Sequence, residues 1–326
     1  VLLPVDAKWI RGALGFAISA VLLGFTVRSI AFDDLLRVLK ASSPQWIAVS
    51  IALYWLEIVV RSTRWRRLLR PVAALGPRQV LLSLIVGYAA NNALPARLGE
   101  LFRADFIGKR YGVSRMAVMG TIVLERVLDV LAVVACAAAG VMTLAGDRPA
   151  AGTISTRSSI VDGLFVTGAV ALGFVVALIA LAAYGRSAAS LRSAQLRWAF
   201  TALAIGLRPV SEPRELLPLI APSLLVWTLN GVAMWAMLTG VGVRPTPATI
   251  VLLIGVAGIA AALPAAPANL GTLQFAFVIA LGTAGHAAAP AFAAATLVQV
   301  LLLGSVTVVG AILYAWLHRT RKAVAR

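Results

Sequence analysis

Acidic residues are scarce in this chain: 12 Asp and Glu stand against 29 Lys and Arg in 326 residues, and charged side chains of both signs make up only 13%. Cysteine occurs once, as Cys136 inside an apolar run, which excludes a disulfide framework within the chain and a thiolate metal site. The two histidines, His286 and His318, lie far apart in loop-like sequence, so a histidine metal site is excluded as well. No nucleophile motif and no Gly-rich nucleotide loop accompanies the few carboxylates, and no cofactor is expected. What is abundant is apolar. Hydrophobic residues reach 61%, whereas a soluble domain carries about half apolar and a quarter charged residues, so most of this chain should face lipid.

The surplus of positive charge, formally +17, would point to nucleic acid in a soluble protein. Here nearly all Lys and Arg fall between apolar runs, where cytoplasmic loops of membrane proteins collect them. No nucleic-acid partner is expected; the partners are membrane lipids. The composition describes an all-α polytopic protein of a bacterial-type cytoplasmic (inner) membrane, with residues 1–326 forming one integral membrane domain.

A helix needs roughly 20 apolar residues to cross about 30 Å of hydrocarbon. Runs at 10–27, 45–60, 116–144, 160–184, 217–241 and 291–317 qualify or nearly so. The first follows Lys8 and Arg11 without a convincing small-residue cleavage site and reads as a retained span rather than a signal peptide. The chain begins with Val1, so a trimmed N-terminus is expected. Two further runs, 80–94 and 249–263, are shorter, and each stops at Leu-Pro.

Charge on the flanks interprets the short runs. Arg61, Arg64, Arg66, Arg67, Arg70 and Arg78 precede the first, and Arg97, Arg103, Lys109, Arg110 and Arg115 follow its Leu-Pro. Both flanks call for the cytoplasmic side, a demand met without a crossing if the chain dips in and returns. The predicted architecture is about six full transmembrane helices plus two re-entrant helical hairpins, with both termini cytoplasmic. The hairpins also look like copies: Leu94-Pro95-Ala96 followed by Leu98-Gly99 recurs as Leu263-Pro264-Ala265 followed by Leu270-Gly271, and the stretch 117–125 aligns with 291–299. An internal repeat, about 78–145 and about 248–317, is therefore expected, and the crossings between the copies make it an inverted pseudo-repeat. Interrupted hydrophobic segments at corresponding places in two halves point to a transporter's midplane site.

Pro95 cannot donate to the carbonyl of Asn91, and Pro264 and Pro267 leave the carbonyls of Ala260 and Leu263 free. Asn91, Asn92 and Asn269 can supply partners for such backbone. New half-helices should begin near Ala96 and near Leu270, with unpaired amides and the positive end of the helix dipole deep in the membrane. Two such ends form a site for an anion such as phosphate, which Arg97 and Arg103 would grip; the plainer alternative is that the amides satisfy broken backbone and the arginines reach headgroups.

The run 116–144 also contains Glu125, Arg126 and Asp129, roughly 13 to 20 Å along the helix and so within the hydrocarbon. Such charges must face a cavity or a partner. They read either as a polar wall of a substrate cavity or as a structural network tied to Arg97 or Arg103. Glu57 with Arg61 reads as an interfacial pair, Asp33-Asp34 as a solvated turn, and Trp46, Trp55, Trp65, Trp227, Trp235 and Trp316 as interfacial anchors.

Taken together, Asn91-Asn-Ala-Leu-Pro-Ala-Arg-Leu-Gly-Glu-Leu-Phe-Arg103, Gly112-Val-Ser-Arg115 and Thr121-Ile-Val-Leu-Glu-Arg-Val-Leu-Asp129 resemble the signature of the lysylphosphatidylglycerol synthase transmembrane-region family, also called the flippase-like domain. Leu263-Pro-Ala-Ala-Pro-Ala-Asn-Leu-Gly-Thr272 is similar to that family's second signature. The resemblance implies a domain that, in two-part aminoacyl-phospholipid enzymes, moves the modified lipid between leaflets. By motif it marks Asn92, Pro95, Arg97, Gly99, Glu100, Arg103, Glu125, Arg126 and Asp129, with Pro264, Pro267, Gly271 and Thr272 from the second copy. The sequence given ends at Arg326 without the synthetase domain of those enzymes, so aminoacylation by this chain itself is not expected. The expected function is a flippase or transporter moving or binding a lipid, phospholipid or isoprenoid-type, with an anionic or zwitterionic headgroup. A separate lipid-synthesis enzyme is a candidate partner. The alternatives are a membrane-embedded lipid-headgroup enzyme using Glu100, Glu125 or Asp129, and a non-transporting scaffold of a lipid-synthesis complex.

Overall fold

Proline at the first helical position sets four of the helix starts. There its fixed backbone angle suits the helix and its missing N–H is not needed. The computed structural model describes residues 20–24, 26–28, 32–94, 98–146, 194–208, 213–262 and 266–324. The long first-half helix α2 (Pro44–Leu69) follows a short amphipathic helix α1 (Phe32–Lys40), and the pair α3 (Pro77–Ala93) and α4 (Gly99–Tyr111) comes next. Helices α5 (Arg115–Gly146) and α6 (Ala194–Gly206) complete the described first half. In the second half α7 (Pro213–Gly240) precedes the pair α8 (Pro247–Ala262) and α9 (Thr272–Thr283), then α10 (Ala288–Leu297), a π-helical turn Val298–Leu303 and α11 (Gly304–Val324). Pro44, Pro77, Pro213 and Pro247 open α2, α3, α7 and α8. Among the described residues every element is helical.

Three described helical stretches are long and apolar enough to cross a membrane: Pro44–Leu69, Leu217–Gly240 and Ala288–Arg319. The protein is a multi-pass membrane protein, and its exposed Leu101, Leu224, Val300, Val308 and Ile312 suit lipid rather than water. The expected first and fourth spans, 10–27 and 160–184, lie wholly or mostly outside the described residues.

The two short runs do become helix–break–helix pairs. At 17 and 13 residues, α3 and α4 are about 25 and 20 Å long; α8 and α9, with 16 and 12, are about 24 and 18 Å. Each is shorter than the roughly 30 Å of hydrocarbon, and the partners of each pair pack on one another. The packing between halves is reciprocal. The incoming helix of the first pair, α3, lies on α11 of the second half, while the incoming helix of the second pair, α8, lies on α5 of the first; α2 and α7 pack along one another. Small residues permit the closeness: a Cβ on Gly255 of α8 would stand 2.3 Å from that of Ala137 on α5, and one on Gly310 of α11 would stand 2.4 Å from that of Ala89 on α3. There are two apolar cores, one around Ile58, Leu84, Ile107 and Ile122 that also takes in Leu219 and Val306 of the second half, the other around Met237, Leu253, Phe277 and Ala293.

Three expectations need correction. Asp33 and Asp34 stand in the first turn of α1 rather than in a loop, where negative charge suits the helix dipole, and Asp34 pairs with Arg37 at 2.6 Å. Trp65 is fully buried and so is not an interfacial anchor; Trp227 is half-buried and faces Arg61 at 5.4 Å, and Trp46 and Trp235, in edge contact at 5.1 Å, lie at the surface. Glu57 is buried rather than interfacial.

Candidate functional site

Three helices bring four acids and four arginines together within the membrane protein's interior. On α5, Glu125 and Asp129 are one turn apart and share a face, with Arg126 beside them. On α2, Glu57, Arg61 and Arg64 recur at i, i+4 and i+7 and form a stripe toward that face. From α4, Glu100 and Arg103 reach in at i, i+3.

The contacts run without a gap. Arg103 Nη2 donates to Glu125 Oε2 at 2.6 Å, and Arg64 Nη2 donates to Asp129 Oδ1 at 2.8 Å while lying 3.8 Å from Glu125 Oε1. Arg61 bridges Glu57 Oε1 at 2.6 Å and Asp129 Oδ2 at 3.4 Å. Arg126 reaches Glu125 at 2.9 Å, Asp129 at 3.5 Å and Glu100 at 3.6 Å. From α7, Asn230 Nδ2 donates to Glu57 Oε2 at 3.0 Å, and Ser223 accepts from Arg64 at 3.3 Å. Pairing and hydrogen bonding of this kind are what buried charges need.

Aromatic and backbone groups shape the cluster. The Arg103 guanidinium lies over the Trp65 ring at 4.1 Å, a cation–π contact, and Trp65 Nε1 donates to Thr121 Oγ1 at 3.2 Å. The stem of Arg103 passes so close to α3 that a Cβ on Gly87 would stand 2.7 Å from Arg103 Cδ. Similarly, Gly99 opens α4 where a Cβ would meet the Asn91 backbone at 2.2 Å. Most of the cluster is closed off, but Arg126 and Glu100 keep 30% and 28% side-chain exposure. Arg64 Nε, Arg103 Nε and Arg126 Nε are buried donor atoms with no hydrogen-bond partner.

The turn of the second break packs on the helix that leads into the first, and that helix also reaches the second half's long helix. The turn Pro267–Asn269 packs on α3, and Asn92 Nδ2 donates to Leu303 O at 3.2 Å and Thr307 Oγ1 at 3.1 Å where the π-helical turn ends. Gln299, inside that turn, donates to Ala268 O at 2.9 Å and accepts from Gln274 Nε2 at 2.5 Å; Gln274 Oε1 in turn accepts from Gly271 N at 2.9 Å. Thr272 Oγ1 donates to Asn269 O at 3.0 Å. A closed, uncharged relay thus holds a turn in which Ala268, Asn269 and Gly271 all have positive φ. Gln299 occupies the place that the expected repeat gives to Glu125, so one half has a charged pair where the other has a pair of amides.

Of the residues singled out from sequence, Glu100, Arg103, Glu125, Arg126 and Asp129 come together, Gly99 and Asn91 make the close approach beside them, Asn92 reaches Leu303 and Thr307, and Pro267, Asn269, Gly271 and Thr272 build the turn of the second break. Pro95, Arg97 and Pro264 lie outside the described residues. The half-helices begin at Gly99 and Thr272, three and two residues beyond Ala96 and Leu270, and the Gly271 amide is taken by Gln274. Arg61, Arg64, Trp65 and Asn230 were missed. The stripe Glu57, Arg61, Arg64 was the available signal, hidden because basic residues at a cytoplasmic helix end already have an explanation.

Long apolar helices, interrupted helix pairs in reciprocal packing and a buried ion network define a polytopic membrane protein. Residues 12–310 match the profile of the lysylphosphatidylglycerol synthase TM region, and the chain belongs to that family, a flippase-like group of membrane proteins associated with lipids. It is similar to a UPF0104 membrane protein of Methanocaldococcus jannaschii, 28% identical over 103 residues, 31% of each chain. A second UPF0104 membrane protein, from Methanothermobacter thermautotrophicus, is 27% identical over 122 residues, 36% of each chain. Over 91% of its length the chain is also 23% identical to the glycosyltransferase AglD of Haloferax volcanii, of which it covers 53%. It thus spans about a third to a half of these relatives' own lengths.

Proposed function

We propose that the chain moves a membrane lipid with an anionic or zwitterionic headgroup, received at a midplane site between two re-entrant, broken-helix hairpins that form an inverted repeat. The observation that carries this reading is the open edge of the ion network. Arg126 and Glu100 lie 3.6 Å apart and partly accessible, so a guanidinium stands ready for a phosphate and a carboxylate for an amine. Arg103, Arg64 and Asp129 hold that edge in place rather than receive the ligand. Reciprocal packing of α3 and α8 supports the repeat, and alternating access would be a rocking of one hairpin and its supporting helix against the other.

The arginine-rich ends of α2 and α4 are placed at the cytoplasmic face of the cytoplasmic membrane, with both termini there. We read the site as non-catalytic, its carboxylates being held by arginines. A companion lipid-synthesis enzyme fits the similarity to a glycosyltransferase that has about half its length outside the match. The test is leaflet transfer of fluorescent phospholipids and isoprenoid phosphates by the purified chain in liposomes. Wild type is expected to move at least one class, and Arg126→Gln to lose that movement while melting within a few degrees of wild type. A wild-type protein that moves none of them, in liposomes where its insertion is verified, overturns the proposal.

A further inference from the structure

Beyond the buried network lies a second concentration of arginine, around the C-terminal end of α2. Arg67 from α2 and Arg70 just past its end, Arg208 beyond the end of α6, and Arg214 and Glu215 from the first turn of α7 line a cleft of about 470 Å³, together with Pro218 and Leu219. Four arginines against one glutamate leave three net positive charges in a concavity the size of a small-molecule site. Scattered headgroup anchors would account for basic residues along this edge, but not for four of them, from three segments, around one hollow.

A proline pair holds one wall. Pro222 lacks the N–H that would satisfy the Pro218 carbonyl one turn earlier. Arg67 Nη1 donates to that carbonyl instead, which fixes its guanidinium at the cleft wall. The level in the bilayer follows from the same helix. The apolar stretch of α7 begins at Leu217, and Leu217 and Ile220, 69% and 51% exposed, flank Pro218 and Leu219. Arginine and exposed leucine thus meet within one turn, as they must where headgroup phosphates give way to acyl chains.

The cleft is also connected to the network. Arg70, Arg67, Arg64 and Arg61 stand at successive intervals of three along α2 and just past its end, about 4.5 Å apart in rise, on a ridge that winds around the helix. The outer two line the cleft and the inner two pair with Asp129. Likewise Ser223, which accepts from Arg64, lies one turn beyond Leu219 of the cleft.

We propose that this cleft binds a phosphate group carrying two negative charges, as borne by a phosphomonoester lipid, and is the loading site from which a headgroup passes along the arginine ridge to the network. The inference rests on the lipid-handling reading above, but the binding itself is an equilibrium property and needs no transport. The experiment is calorimetric titration of the full chain in phosphatidylcholine nanodiscs with dihexanoyl phosphatidic acid and, separately, with inorganic phosphate.

Saturable binding of the phosphatidic acid is expected, weakened about tenfold or more by Arg70→Gln with Arg214→Gln, since each removes a charge-assisted hydrogen bond. Arg214→Gln alone must shift it in the same direction. Arg66→Gln, one residue from Arg67 but outside the cleft and donating to Leu75 O, should leave it within about twofold, given the modest worth of an exposed charge. Arg126→Gln is expected to remove only binding at the midplane site and to leave in place the binding that depends on Arg70 and Arg214, so a failure of the midplane site is told apart from a failure of the cleft. Phosphatidic acid binding without phosphate binding assigns the lipid; equal binding of both assigns free phosphate to the same residues. Affinity unchanged in the cleft variants, or weakened as much by Arg66→Gln, overturns the proposal.

Discussion

Asp129 is shared by three guanidinium groups, those of Arg61, Arg64 and Arg126. Replacing it with Asn keeps the volume and removes the charge that all three face. Breaking a buried pair from one side costs about 3–5 kcal/mol, because the partner is left uncompensated. Asp129→Asn is therefore expected to lower stability by that order, read as a lower denaturant or thermal midpoint in detergent micelles, whereas a change confined to the exposed Asp34–Arg37 pair should cost below about 1 kcal/mol. The same asymmetry explains what sequence could reveal. Acids in an apolar run must face a cavity or a partner, so Glu125 and Asp129 stood out, and Arg126 with them. Arg61 and Arg64 sit in a run of basic residues at a helix end, where headgroups would suffice, and only their spacing from Glu57 marks them as inward-facing.

At the level of elements, the breaks matter more than the helices. Proline placement made both short runs legible as interrupted, and the helix starts at Pro44, Pro77, Pro213 and Pro247 follow from the same chemistry. What sequence did not reveal is how the second break is held. Gln274 and Gln299 are 25 residues apart and unremarkable among apolar neighbours, and their meeting depends on α9 packing against α10. Their relay keeps Ala268 at φ 54°, a left-handed conformation that costs an ordinary residue about 1–2 kcal/mol relative to the right-handed one. Ala268→Gly should relieve part of that, offset by the greater freedom of glycine in the unfolded chain. A net stabilisation of up to about 1 kcal/mol is expected, visible as a raised melting temperature; a fall would mean that the Ala268 methyl group contributes more by packing than its backbone strain costs.

At the scale of the whole molecule, the charge on the flanks gives the topology its test. With Cys136 replaced by Ala, single cysteines at Arg66 and Lys109 are expected to react with a membrane-impermeant maleimide from the same side of sealed vesicles. Labelling from opposite sides would turn α3 and its break into a full crossing. The order of segments and their apolar character were legible because lipid imposes length and hydropathy on each helix separately. The exchange of partners between halves, α3 on α11 and α8 on α5, was not, since it arises from close approach at Gly310 and Gly255 rather than from any one run.

The buried network has a further property. Its four acids and four arginines sum to zero, so carrying the whole cluster through the membrane's electric field does no net electrical work. One uncompensated charge crossing the full field would be worth about 2.3 kcal/mol per 100 mV. The protein contributes no such charge from this cluster, and any voltage dependence of a cycle built around it belongs to the cargo: none for a zwitterion, one elementary charge for a singly charged anion.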